Sequence, residues 1–260
     1  MTPMTNKTLA TALLAVAVLA TACGDSKVQD ITGPIASSRV RFFNFGVNAP
    51  SVNFYAGSAK VTATASTTGT EATTGVSYGA VGSGGNYSTL AAGAYDLTGK
   101  IAATTDKDLT VARVSTTLAD GKAYSMYVSG FYDTGAKSVE AFVVEDAIPA
   151  TIDWGTASVR FVNAISNSNP MTLYAKNTTT TTEVPVGGLV AYKAAGAFTT
   201  IPAGVYDLGA RVSGASTNAV GRTAVSFLAG RVYTVGARGD ITITSTTATN
   251  RPFLDNTANR

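Results

Sequence analysis

A serine between glycines, two small acidic groups and a single tryptophan are the residues whose types and spacing could do chemistry in this chain. Gly75-Val76-Ser77-Tyr78-Gly79 spells the G-x-S-x-G string of a hydrolase nucleophile elbow. That chemistry needs a histidine to take the serine proton and a helix behind the turn. The chain has no histidine at all, which also removes the usual general base and the usual zinc ligand. Asp106-Lys107-Asp108 offers oxygens, but calcium takes six to eight of them, so the segment reads as a solvated loop. Glu145, Asp146 and Asp153 would share a cation only if the fold closed them together. The four glycines of Gly79 to Gly85 lack the lysine and helix of a phosphate loop and read as a strand connection. An enzyme built from Asp, Glu, Lys or Tyr alone would need, in the glycosidase manner, two carboxylates about 5–10 Å apart in a cleft. The chain therefore reads as non-catalytic, with no metal and no cofactor. Trp154, between Asp153 and Gly155, is the candidate ligand contact: an exposed platform for a sugar ring, or a packing residue at a domain junction.

The sole cysteine, Cys23, has a different chemistry. It follows a leader with one positive charge (Lys7), an apolar run from Thr8 to Leu19, and small residues Ala20-Thr21-Ala22 at the cut. The apolar run is about a dozen residues, too short for a spanning helix of roughly 20, and reads as a removed secretory signal. Leu19 to Cys23 resembles the acylation box of a bacterial lipoprotein, with Ala20 where leucine is usual. The same residues also fit an ordinary Ala-x-Ala signal site, and both readings cut after Ala22. The resemblance implies lipid on Cys23, a membrane as partner, and residence in the cell envelope, at the outer membrane where there is one. One acyl chain binds marginally and two or more hold stably. The polar stretch 23–37 then reads as a tether.

Charge bears on partners. The formal net charge is +3, and +2 once Lys7 leaves with the leader. There is no Lys/Arg-rich run, so nucleic acid is not expected as a partner. Charged residues make up 13% of the chain, against about 25% in an average soluble domain.

The elements that must position these residues are duplicated. Tyr87 to Leu97 aligns without gaps to Phe198 to Leu208, with six of eleven positions identical. Val40-Arg-Phe-Phe-Asn44 matches Val159-Arg-Phe-Val-Asn163, and Pro50 with Tyr55 matches Pro170 with Tyr174. Leu118 to Tyr124 matches Leu228 to Tyr233 with one residue deleted. The expected organisation is a signal at 1–22, a tether at 23–37, repeats at 38–148 and 156–250 with a linker at 149–155, and a polar C-terminal tail at 251–260. In both copies, apolar residues alternate with polar ones. Tyr206, Leu208, Ala210 and Val212 share one face, as do Tyr95, Leu97, Gly99 and Ile101, with Asp96 and Lys100, or Asp207 and Arg211, opposite. Many short strands parted by turns predict an all-β chain of two tandem immunoglobulin-like β-sandwich domains. Leu118…Tyr124 suggests a tyrosine corner, weakened in the second copy by its shorter turn. Thr178 to Thr182 reads as a hairpin tip.

Laid out this way, the repeats resemble a bacterial family, domain of unknown function 4397. The resemblance rests on Val-Arg-Phe-x-Asn, the proline turn, and the aromatic…Ala-Gly-x-Tyr strand, in both copies. It implies a secreted or envelope β-domain and supplies no catalytic residues. The expected function is binding, adhesion or structural support at the membrane surface, with an envelope glycan or protein as partner.

Overall fold

Arg41 and Phe43 point away from Val40 and Phe42, and this two-sided burial of one strand organises the whole fold. The computed structural model describes residues 37–62 and 74–259, which lie in one compact unit, Ala36–Arg260. Ala22, Cys23 and the rest of the leader and tether up to residue 36 lie outside the described residues, as does most of the Thr/Ala/Gly insertion (63–73).

The first repeat contains β1 (Ser37–Asn44), β2 (Val52–Ala56), β3 (Ala59–Lys60), β4 (Ala80–Val81), β5 (Ser88–Ala91), β6 (Gly93–Ile101), β7 (Thr110–Leu118), β8 (Ala123–Asp133) and β9 (Ser138–Glu145). The second follows with β10 (Thr156–Asn163), β11 (Met171–Asn177), β12 (Glu183–Val190), β13 (Ala194–Ala195), β14 (Thr199–Pro202), β15 (Gly204–Val212), β16 (Val220–Phe227), β17 (Val232–Arg238) and β18 (Phe253–Ala258). Each repeat is a sandwich of two sheets. One sheet has the order β4-β1-β8-β9, with β5 also on β1, and is repeated as β13-β10-β17-β18 with β14 on β10. The other is β3-β2-β6-β7, repeated as β12-β11-β15-β16. The first strand of each repeat is central and runs parallel to the eighth, β1 with β8 and β10 with β17.

The alternation read from the sequence places the cores. Val40, Phe42, Phe54, Leu97 and Met126 fill the first sandwich, with Phe42 stacked on Phe54 at 5.0 Å. Val159, Phe161, Leu173, Tyr206, Leu208 and Val235 fill the second. The asparagine that ends each Val-Arg-Phe-x-Asn strand ties down the loop behind it. Asn44 donates to the carbonyls of Pro50 and Val76, and Asn163 Oδ1 accepts the Ile165 N–H.

Two expectations need correction. The segment expected as a polar tail at 251–260 is not one through residue 259, because β18 pairs along the length of β17 and buries Leu254 in the core. The turns before Tyr124 and Tyr233 are also equal in length. Phe227, not Leu228, occupies the place of Leu118, since Gly204 pairs with Phe227 as Gly93 pairs with Leu118. The tyrosine corner is therefore intact in both copies: Ala119 N–H donates to Tyr124 Oη at 3.0 Å and Leu228 N–H to Tyr233 Oη at 3.1 Å. Leu228 then falls where the first copy has Ala119, and stands exposed.

Candidate functional site: the seam between the repeats and the Trp154 end

The outer faces of the two β1-type sheets meet. Arg41 and Phe43 of β1, and Arg160 and Val162 of β10, alternate with core residues and so point into this seam. Its apolar part is Phe43, Phe45, Tyr127, Phe142, Val162 and Ala164. Tyr127 lies between Phe43 (4.5 Å, 9°) and Phe142 (5.1 Å, 16°), both in stacked geometry. Phe45 packs so closely on Gly236 that a Cβ there would stand 2.9 Å from the ring, which explains the glycine.

Beside the aromatics lies a buried polar network. Arg160 donates through Nη2 to Asp146 Oδ1, through Nη1 to the Glu145 carbonyl at 2.9 Å, and through Nε to Thr234 Oγ1 at 2.9 Å. Asp146 Oδ2 also accepts from Ser125 Oγ and Tyr87 Oη, at 2.7 and 2.6 Å. Asn259 Nδ2 donates to Tyr87 Oη at 2.9 Å, while its Oδ1 accepts from Thr234. Burial first, and then the Asp146 charge, push the Tyr87 hydroxyl well above the ordinary tyrosine range.

The network is nearly symmetric. Ser125 and Thr234 hold equivalent places opposite Arg41 and Arg160. Asp146 and Asn259 are equivalent too, each donating its backbone N–H to the carbonyl at the start of β8 or β17. The difference is one of charge: among the described residues Arg160 has a carboxylate partner and Arg41 has none. Arg41 lies with its guanidinium 4.1 Å from the Tyr87 ring centre, and its buried Nε and Nη1 have no hydrogen-bond partner among the described residues. A buried charge without a counter-ion is costly. Arg41→Met is accordingly expected to raise stability by about 1–3 kcal/mol, read as a higher urea midpoint at unchanged slope.

At its other end the seam is closed by the tyrosines that precede β4 and β13. Tyr192 Oη donates to Glu140 Oε2 at 2.6 Å and meets Ser129 Oγ at 2.9 Å, with Lys193 Nζ 3.3 Å from the same carboxylate. The Tyr192 hydrogen bond draws the Glu140 carboxyl below its ordinary value. Tyr78, the tyrosine of the G-x-S-x-G string, lies under the Arg238 guanidinium at 4.9 Å. Arg238 is paired with Asp255, whose carboxyl burial pushes upward. That string is thus a turn feeding β4, and its Tyr78 serves the seam.

The acidic groups part company. Asp146 is committed to Arg160, Glu145 to Lys122 at 2.8 Å, and Asp153 to the Gly155 N–H. Asp106 pairs with Lys137, while Asp108 accepts from Tyr55 Oη. Among the described residues no three acidic side chains gather in a way that could hold a metal ion. Asp96, Lys100, Asp207 and Arg211 do not pair among themselves: Asp96 accepts from Ser115 Oγ, Lys100 sits over the Tyr55 ring, Asp207 accepts the Ala224 N–H, and Arg211 pairs with Glu183 over the Tyr174 ring.

Trp154 does not pack the junction. It is 79% exposed, the most exposed large apolar residue described, and one edge of its ring rests on Gly230. Gly230 has φ +69 and no room for a Cβ, which would lie 2.6 Å from the indole. Leu228, in the same turn, is 60% exposed, and Val205, opposite Ser226, is 40% exposed. Thr178, which opens the five-threonine hairpin tip, bonds to the Val205 carbonyl. One end of the second sandwich thus gathers Trp154, Leu228, Val205 and the threonine turn. Leu228 was not legible as exposed, because its match to Leu118 hid the true register.

The fold and the seam define a tandem β-sandwich protein whose repeats are joined face to face. The family model for the domain of unknown function DUF4397 matches residues 38–167 and 157–260, and the chain belongs to that family. No curated protein matches the chain. Among solved structures it is similar to the Bacillus anthracis TIE protein, at 13% identity and a TM-score of 0.22. That match covers 78% of this chain and 34% of the other, so the chain spans about a third of that protein's length.

Proposed function

We propose that this is a non-catalytic, lipid-anchored protein of the bacterial envelope, whose two repeats act as one β-module for binding or structural support at the membrane surface. The observation that carries this reading is the seam. Arg160 and Asp146 are buried, Tyr87 is half-buried, and the three are joined by hydrogen bonds, so their chemistry serves to join two domains. Two sandwiches joined over such a face present their outer ends at fixed relative positions, which suits a scaffold or adhesion module. The leader and Cys23 supply the anchor on sequence grounds.

The test is fractionation with intact-mass analysis. The mature protein should pellet with membranes and carry diacylglyceryl mass on Cys23, and Cys23→Ser should move it almost wholly to the soluble fraction. A wild-type protein that is soluble, with an unmodified Cys23, would overturn the anchored reading.

A further inference from the structure

The two repeats run the same way, and this decides which end of the molecule faces the anchor. Across the seam, Tyr87, beside the middle of β1, meets Asn259 at the start of β17, and Phe45 beyond the end of β1 meets Gly236 near the end of β17. In the reverse sense, Arg160 meets Asp146 at the start of β8, and Tyr192 at the end of β10 meets Ser129 near the end of β8. The contacts are reciprocal, as in an isologous dimer, and in both halves they progress in the same direction. The starts of β1 and β10 therefore lie at one end of the module. Ser37 opens β1 there, its carbonyl accepting the Gly121 N–H, as Thr156 opens β10 with its carbonyl on the Gly230 N–H. Trp154, Leu228 and Val205 stand at that same end.

We infer that this end is a membrane-contact surface. Trp154 and Leu228 enter the headgroup region of the bilayer to which the chain is tethered, and the module stands upright on that membrane. The inference takes its setting from the anchored reading above. Thirteen residues separate Cys23 from Ser37, a length that spans at most about 50 Å, and they join the fold at the end where the exposed apolar residues are. The chemistry suits a bilayer interface. Tryptophan concentrates at headgroup depth because its ring is apolar and its N–H is polar, leucine suits the acyl boundary, and the exposed Arg231 in the same turn suits lipid phosphate.

The sole tryptophan makes the test direct, since all indole emission comes from Trp154. The chain from Gly24, with an N-terminal polyhistidine tag replacing the leader and Cys23, is bound to phosphatidylethanolamine–phosphatidylglycerol vesicles containing a nickel-chelating lipid. The expected result is a blue shift on vesicle binding and quenching by brominated acyl chains, both reduced in Leu228→Ser, which keeps the reporter. For the untagged chain, Trp154→Ala should lower vesicle partition about tenfold, with an unchanged circular dichroism spectrum. Emission on tethered vesicles that stays as in buffer overturns the inference. So does a blue shift with soluble envelope oligosaccharides and none with vesicles, which would make Trp154 a glycan platform. Because the tag supplies the anchor, this outcome is independent of whether Cys23 is acylated in the natural protein.

Discussion

Asp146→Ala is expected to lower the unfolding free energy by about 3–5 kcal/mol, since removing one partner leaves the other charge buried and unpaired. Asp146 and Arg160 are both almost wholly inaccessible, and Asp146 also receives Ser125 and Tyr87. The loss should exceed that of any single exposed pair in the molecule, such as Lys137–Asp106, where about 0–1 kcal/mol is usual. Replacing both partners by apolar residues, Asp146→Leu with Arg160→Met, should restore much of the loss, because the cost lies in the stranded charge. Urea unfolding of the wild type, the single variant and the double variant measures this cycle. A single variant with the wild-type midpoint would show that the ion pair does not hold the seam.

Tyr127→Ala is the second large loss, about 3–5 kcal/mol for an aromatic deleted from a packed core. The ring lies between Phe43 and Phe142, and Phe45 is tilted against it at 5.6 Å, so the cavity would sit where the two repeats touch. The loss should uncouple the halves rather than unfold either alone, since both sandwich cores lie outside the seam. Two separated unfolding transitions, together with faster proteolysis at 146–155, are the expected signature. Tyr127→Phe keeps the stack and should retain a single transition. One cooperative transition in Tyr127→Ala would mean that the repeats do not depend on each other through this ring.

These variants bear on function because the seam sets the orientation of the whole module. The Trp154 end and the start of β1 share one side only while the repeats remain in register. A loosened seam should therefore weaken vesicle quenching of Trp154 even though no residue at that end has changed.

Much of this was legible in the residues. The duplication, the all-β class and the alternating faces of β6 and β15 follow from period-two patterning, which depends only on the geometry of an extended chain. The exclusion of histidine chemistry needed no fold at all. The reading of residues 1–23 as a leader ending at a lipidated cysteine rests on the sequence alone and lies outside the described residues. Pairing across space was not legible. Alternation alone does not reveal that Arg41 and Arg160 are buried, because it says which side a residue faces and not what covers that side. The tail at 251–260 is polar enough to suggest solvent, yet β17 offers it a free ladder of backbone groups, and Leu254 adds the burial. Trp154 had two readings, junction or sugar platform, and the turn at Gly230 rules out the first by supporting one edge of the ring and leaving the rest in the open. Local chemistry and periodicity are thus properties of the chain, whereas the partner of a buried charge and the exposure of a ring are set by which surfaces meet, and that is decided by the packing of one repeat on the other.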